Sequence, residues 1–406
     1  MNICFLVGSM AISGGTYVII QHASYLSECG YNVTLAVQQP FSEDTLEWHD
    51  KASILRCIPF EDGKLEQFDL VIATWWETAL ELHNFNASRF AYFVQSIESR
   101  FYPAGEVRLR ALVDATYKLP CAYVTEANWI RDHLATGYGH EVALVPNGIR
   151  KDIYRTTGKS IAPRDSNRQP RVLVEGPFGV SFKNTALGLR LAREAGAKDI
   201  WVLTGTPVKW IPGVSRVFSR VPIHATPEIY RSCDILVKLS TVEGMFGPPL
   251  EIFHCGGTAI VSDVTGHDEY IVDDQNARVI QRGDMDGFVK TLRHLLNNRT
   301  DLMRLQGGAQ KTAEAWMSWD ESSTAFLDWV ESALAKPTVD REVIAEMNDK
   351  AFSDYVLDEQ ERLANAPKIL RHRLSVMAAH LPQPLVRYLK QLGAAKEVLF
   401  GQRKVY

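Results

Sequence analysis

The run Asp234-Ile235-Leu236-Val237-Lys238-Leu239-Ser240-Thr241-Val242-Glu243-Gly244-Met245-Phe246-Gly247-Pro248-Pro249-Leu250-Glu251, continuing to Cys255-Gly256-Gly257-Thr258-Ala259-Ile260-Val261-Ser262, decides the fold. An apolar segment of strand length leads into a glycine-bearing loop, prolines stand where a helix begins, and Gly-Gly separates that helix from a second apolar segment. Proline suits a first helical position because the N–H it lacks has no intrahelical partner there, and the free amides of a first turn form an anion site. The expected anion-facing residues are Gly247, Pro248, Pro249 and Leu250. Glu251, just inside the helix, is placed to accept hydrogen bonds from vicinal ribose hydroxyls, as carboxylates do in dinucleotide folds. Glu243, on the loop, would face the same ligand from the other side.

Moving outward, the same alternation fills the chain. Residues 3–7 read as a buried strand, followed by a turn at Ser13-Gly14-Gly15, a helix from about Thr16 to Cys29 stopped by Gly30, and a strand at 31–37. Apolar runs at 70–73, 90–94, 122–125 and 142–145 continue the pattern; after a Ser-, Thr-, Arg- and Pro-rich stretch at 156–170 it resumes at 171–175, 200–204, 235–239, 258–262 and 277–280. The reading is α/β: two Rossmann-like domains facing each other across a cleft, a common place for a small-molecule site.

Composition narrows the function classes. The chain has 406 residues, 46% hydrophobic and 23% charged, which excludes a disordered or collagen-like polymer and favours two domains. The net charge of −4 argues against a protein that neutralises nucleic-acid phosphates. It hides an acidic body, because residues 362–406 hold nine Lys/Arg against one acid. Six scattered cysteines without a C-x-x-C pair predict reduced, mostly buried thiols. With no signal-like start and no apolar stretch of membrane-spanning length, the expected location is the cytoplasm.

The spacing Glu243-x7-Glu251 resembles the donor-binding motif of retaining, two-domain GT-B glycosyltransferases, family 4 in particular. Val145-Pro146-Asn147-Gly148 resembles the family's interdomain segment and Ser13-Gly14-Gly15 its first glycine loop. Ser262-Asp263-Val264 with Gly266 and Glu269 resembles the stretch after the motif, and Ser318-Trp319-Asp320 the start of its crossover helix. The resemblance covers roughly residues 1–335. It implies an acceptor-side domain at 1–155, a linker at 156–170, a nucleotide-sugar domain at 171–318 and a crossover helix at 319–335; a basic helical extension at 336–406 lies beyond the resemblance. It also implies that Glu251 holds the ribose, Glu243 touches the donor sugar and Lys183 binds the diphosphate. Gly14, Gly15 and Gln95 would line the cleft where donor and acceptor meet. Two departures stand out: the loop around Lys183 lacks the family's usual arginine, for which Arg171 or Lys238 is a substitute, and Gln95 replaces a histidine. The segment Val94-Gln95-Ser96-Ile97-Glu98 with Phe101-Tyr102-Pro103 resembles bacterial polysaccharide rhamnosyltransferases.

The implied reaction moves a sugar, with retention, from a nucleotide-diphosphate sugar to a hydroxyl of a bacterial, lipid-linked glycan; dTDP-rhamnose is the narrower donor. No cofactor or metal is expected, since Asp284-Met285-Asp286 reads as a helix cap rather than a metal motif and the histidines lack ligand spacing. Other readings fit the same residues. Glu243 and Glu251 also suit a loop carboxylate and a helix-start acid, and Lys183 a solvated lysine. A nucleotide-sugar epimerase shares this architecture, a catalytically silent sugar-binding subunit would explain the departures, and a glycosidase would leave the nucleotide-type fold unexplained. Leu370, Leu374, Met377 and Leu381, interleaved with Arg371 and Arg373, suggest that residues 362–406 rest on an anionic membrane; packing on the body or on a second copy is the alternative.

Overall fold

The computed structural model describes residues 1–365. Residues 1–352 form one compact unit; of the second, residues 353–406, the described part is helical. The proposed membrane-binding segment, 362–406, lies outside the described residues but for its first four, which end the last helix. Among the described residues no helix is long and apolar enough to cross a membrane.

The first unit holds two large parallel sheets and a two-stranded parallel ribbon, Gln67–Phe68 with Asn86–Ala87. Strands β1 (Asn2–Val7), β2 (Asn32–Val37), β3 (Arg56–Pro59), β4 (Leu70–Ala73), β5 (Phe90–Val94), β6 (Ala122–Thr125) and β7 (Val142–Leu144) line up as β3-β2-β1-β4-β5-β6-β7. Strands β8 (Val172–Glu175), β9 (Ile200–Thr204), β10 (Arg216–Ser219), β11 (Ile235–Lys238), β12 (Thr258–Ser262) and β13 (Arg278–Ile280) line up as β10-β9-β8-β11-β12-β13. The central strands are near-continuous runs of Val, Ile, Leu and Ala because helices cover both faces of a parallel sheet. Besides the ribbon, two strands of the large sheets escape the sequence reading. β3 and β10 are edge strands whose residues are exposed or half-buried, so neither shows the unbroken apolar run that marks the interior strands.

The helices include α1 (Gly14–Glu28), α2 (Asn128–Tyr138), α3 (Gly247–His254), α4 (Met285–Asn297), α5 (Trp319–Ala335) and α6 (Arg341–Asn365). α1 starts two residues before the expected Thr16, because the Ser13 hydroxyl accepts a hydrogen bond from the Thr16 amide at 3.1 Å and so caps the helix ahead of both glycines. Gly14 and Gly15 are therefore its first turn rather than a free loop. The Asp284 carboxylate accepts from the Gly287 amide at 2.8 Å and caps α4, in agreement with the capping reading. All six cysteines are free; Cys4, Cys233 and Cys255 are buried, but Cys29, ending α1, is exposed against expectation.

The chain passes between the sheets twice. Val145 belongs to the first core and Ile149 to the second, so the first passage is Pro146-Asn147-Gly148. The second is Trp316-Met317-Ser318, after which α5 returns to the first sheet. There Trp319, Phe326, Trp329 and Val330 join the core of Phe5 and Phe93, each large side chain contributing about 1.5–3 kcal/mol of burial. The two passages pair as a parallel bridge: Ile149 N–H donates to the Met317 carbonyl and Trp319 N–H to the Ile149 carbonyl, both at 3.2 Å. A Cβ on Gly148 would stand 2.3 Å from the Ser318 oxygen, so only glycine permits this approach.

Candidate functional site

β8 and β11 are neighbours, in register at Val174 and Val237, and each ends on a charged residue, Glu175 and Lys238. Their side chains form an ion pair at the carboxyl end of the sheet, the expected ligand side of a doubly wound fold. Lys238 is buried, which pulls its pKa down, but Glu175 and Glu243 outweigh burial and hold it above the ordinary lysine value.

Beyond β11 the chain forms the loop that carries Glu243. Lys183, on the turn Ser181–Lys183, donates to Glu243 Oε2 at 2.7 Å, while Lys238 Nζ lies 3.9 Å from Glu243 Oε1. Burial raises the Glu243 pKa; Lys183 and then Lys238 more than compensate and keep it below the usual carboxylate range. Two hydrogen bonds fix the loops together: Thr241 N–H donates to the Phe182 carbonyl at 2.8 Å, and the Asn184 side-chain Nδ2 donates to the Leu239 carbonyl at 3.0 Å. Glu243, Lys183 and Lys238 thus meet in one cluster at this end of the sheet.

α3 opens with Gly247, Pro248 and Pro249. The prolines have no N–H, so this turn presents the amides of Gly247 and Leu250, a weaker anion site than an ordinary helix start. Glu251 is the fifth residue of the helix, not part of its first turn, and shares a face with Gly247 one turn earlier. It lies beside the buried hydroxyls of Tyr230 and Tyr154; burial, with Glu175 nearby, pushes its pKa up to about 7.

The first sheet approaches the same loop from the opposite side. A Cβ on Gly244 would sit 1.9 Å from the Gln95 carbonyl oxygen and 2.6 Å from Glu126 Oε1, so the residue after Glu243 has to be glycine for the halves to meet. Glu126 accepts from the Met245 amide at 2.8 Å and from Asn147 Nδ2 at 2.7 Å. Trp129 Nε1 donates to the Gly244 carbonyl at 3.0 Å, and Glu269 accepts from the Asn128 backbone and side chain, both at 2.7 Å. Phe101 stacks on Phe182 with ring centroids 4.8 Å apart. The halves are in contact around the cluster.

Gln95, half-buried, contacts this zone through its carbonyl, and its side-chain Oε1 has no hydrogen-bond partner among the described residues. A Cβ on Gly15 would lie 3.4 Å from that atom, so Gly15 and Gln95 are neighbours, whereas Gly14 is exposed with nothing within 4 Å of a Cβ. Glu98 of the same segment is structural: buried, it accepts from the Trp76 amide at 2.7 Å and the Tyr92 hydroxyl at 3.0 Å. Arg171 does not substitute for the missing arginine. It precedes β8, at the opposite end of the strand from Glu175, where it pairs with Asp199 at 2.8 Å and lies on Trp201. The sequence reading missed Glu175, Glu126 and Asn147. Glu175 ends an identified strand; nothing in the sequence marked Glu126, whose partners are 119 and 21 residues away.

Residues 212–312, which carry the Glu243 loop and α3, match the family described as glycosyl transferases group 1. The O-antigen biosynthesis protein RfbC of Myxococcus xanthus is 25% identical over 308 residues, 73% of this chain. The chain spans 23% of that relative's length. Among solved structures, sucrose-phosphate synthase from Thermosynechococcus elongatus superposes with a TM-score of 0.62 at 14% identity over 82% of this chain and 100% of its own. Anabaena HepE, solved with UDP-glucose, gives 0.65 at 12% identity over 82% and 100%. WaaG, a glycosyltransferase involved in lipopolysaccharide biosynthesis, gives 0.62 at 13% over 80% and 98%. The fold is GT-B.

Proposed function

From a GT-B chain whose second half carries a glycosyl transferases group 1 domain, we propose an enzyme that moves a sugar from a nucleotide-diphosphate donor to a hydroxyl of a polysaccharide or lipopolysaccharide glycan. The observation that carries this reading is Lys183 against Glu243 at 2.7 Å, over Lys238 and Glu175 at the carboxyl ends of β8 and β11. The similarity to RfbC supports glycan assembly as the setting, and the likeness to HepE supports a nucleotide sugar as donor.

The difficult step is departure of the diphosphate as positive charge grows at the anomeric carbon. Preorganised positive groups stabilise that departure most. Lys183 supplies the charge, and the Gly247 and Leu250 amides supply donors. Lys238 is buried and engaged by Glu175, so it holds Glu243 in place rather than reaching the phosphates. Glu251 takes the ribose hydroxyls, Glu243 the donor sugar, and Gln95 with Gly15 faces the acceptor. In this reading the product retains the donor's configuration, with attack from the leaving-group side and the departing phosphate taking the acceptor proton. No metal is required by this scheme. Contact between the halves excludes water, which would otherwise hydrolyse the donor. The Val94–Glu98 segment supports rhamnosyl transfer from dTDP-rhamnose as the narrower form.

The test is a thermal-shift screen against UDP, GDP, dTDP and ADP. Binding to the folded state alone stabilises by about 2.7 kcal/mol at a hundredfold excess over Kd. One nucleotide should raise the melting temperature by several degrees; if none does, the proposal fails. Incubating the matching nucleotide sugar without acceptor separates transfer from epimerisation.

A further inference from the structure

We infer that Glu126 is a positioning residue for the Glu243 loop: by accepting the Met245 amide while anchored to Asn147, it fixes the loop against the first sheet and so sets the place of Glu243. The inference rests on the function proposed above. Glu126 directly follows β6 and is buried. Its two oxygens are divided between two elements: Oε1 takes the Met245 amide at 2.8 Å, and Oε2 takes Asn147 Nδ2, in the first passage between the sheets, at 2.7 Å. One side chain therefore ties together the first sheet, the interdomain passage and the loop two residues beyond Glu243. Gly244 makes this possible, since a Cβ there would lie 2.6 Å from Glu126 Oε1. No other side chain among the described residues is hydrogen-bonded to the Met245 amide.

Glu126 is not itself in the ion-pair cluster. The charged groups that act on it are Glu243, which disfavours its ionised form, and Lys183, which favours it. Burial is the larger influence and raises its pKa to about 7. The neutral form has an anchor ready, because Asn147 Oδ1 has no hydrogen-bond partner among the described residues. A half-turn of the Asn147 amide would present that oxygen to a donor on Glu126. Glutamine at this position can therefore keep both links, whereas alanine loses both.

The experiment measures backbone amide exchange on the full chain, followed by turnover with the nucleotide sugar selected in the nucleotide screen. Glu126→Ala should speed exchange at residues 244–246 by about tenfold or more, leaving β11 and the interior of α3 unchanged. Glu126→Gln should stay within about threefold of wild type. Turnover should fall about 10- to 100-fold in the alanine variant, with the Michaelis constant for the donor little changed, because a displaced group costs rate rather than nucleotide grip. If the alanine variant does not fold, Glu126→Asp, which keeps the charge but cannot reach both partners, should show the same loosening. Unchanged exchange at 244–246, an equal rise through β11 and α3, or a glutamine variant as loose as alanine would overturn the inference. A wild-type protein without turnover, but with the loop loosened in Glu126→Ala, would defeat the proposed function and leave the anchor standing. Turnover undiminished by Glu126→Ala would defeat the positioning role alone.

Discussion

Lys183 and Glu243 lie on two loops separated by 60 residues in sequence, yet Nζ and Oε2 are 2.7 Å apart. The pair forms because adjacent strands β8 and β11 deliver both loops to one end of the sheet, and because the loops are bonded to each other through Phe182 and Thr241. An arriving diphosphate would meet a lysine already fixed in place, so little side-chain entropy remains to be lost on binding.

Replacing that lysine should affect the chemical step. In Lys183→Ala the leaving group loses its cation, and turnover should fall by about a hundredfold, the scale measured for one preorganised stabilising group. The Michaelis constant for the donor should change far less. Steady-state kinetics check this; a loss seen wholly in the Michaelis constant would mean that Lys183 binds ground and transition states equally.

Glu251 makes a different prediction, concerning the nucleotide. Glu251→Ala should weaken nucleoside diphosphate binding by about 1–3 kcal/mol, the worth of a charge-assisted hydrogen bond. Titration calorimetry measures it, and unchanged affinity would remove Glu251 from the ribose.

The same residue makes stability depend on pH. Its folded pKa of about 7 lies above the ordinary 4.5, so the folded state holds this proton more tightly than the unfolded chain. Stability from this group is fully present below pH 4.5 and falls as pH rises to about 7, by roughly 3 kcal/mol. Glu251→Gln cannot ionise. Chemical denaturation at pH 5 and pH 8 should show a smaller loss of stability in the variant than in wild type.

Gly244 tests whether contact between the halves matters. A methyl group there meets the Gln95 carbonyl at 1.9 Å, backbone that cannot step aside. Gly244→Ala should cost about 2 kcal/mol, an overpacking penalty, and reduce turnover more than it reduces nucleotide binding. Differential scanning calorimetry and kinetics together check both parts.

Arg171 supplies a contrasting case. It is buried and bonded to Asp199 and to the Ser232 and Ala162 carbonyls; Arg171→Ala leaves those acceptors short of a donor, while Arg168 stays 3.3 Å from Asp199, and should destabilise by about 2 kcal/mol. Nucleotide affinity of the folded protein should be unchanged, since the residue lies at the far end of β8. Reduced affinity at full folding would return Arg171 to the site.

The sequence by itself determined the interior of this fold and one side of its site. Parallel strands buried on both faces show as unbroken apolar runs, and a glycine loop followed by prolines shows as a strand-to-helix turn, because these patterns answer to local chemistry. Glu243 and Glu251 stood out for that reason, whereas Lys183 was singled out by the family resemblance of its loop. The edge strands β3 and β10 were not legible, because half-exposed strands have no apolar run to read. Tertiary structure alone decided the partners. It set Glu175 beneath Lys238, sent Arg171 to the wrong end of its strand for a phosphate, and brought Glu126 from the first sheet to the Met245 amide. Each of these depends on strand order and on how closely two sheets approach, quantities fixed by packing between segments far apart in the chain. Spacing along one segment carries no record of them.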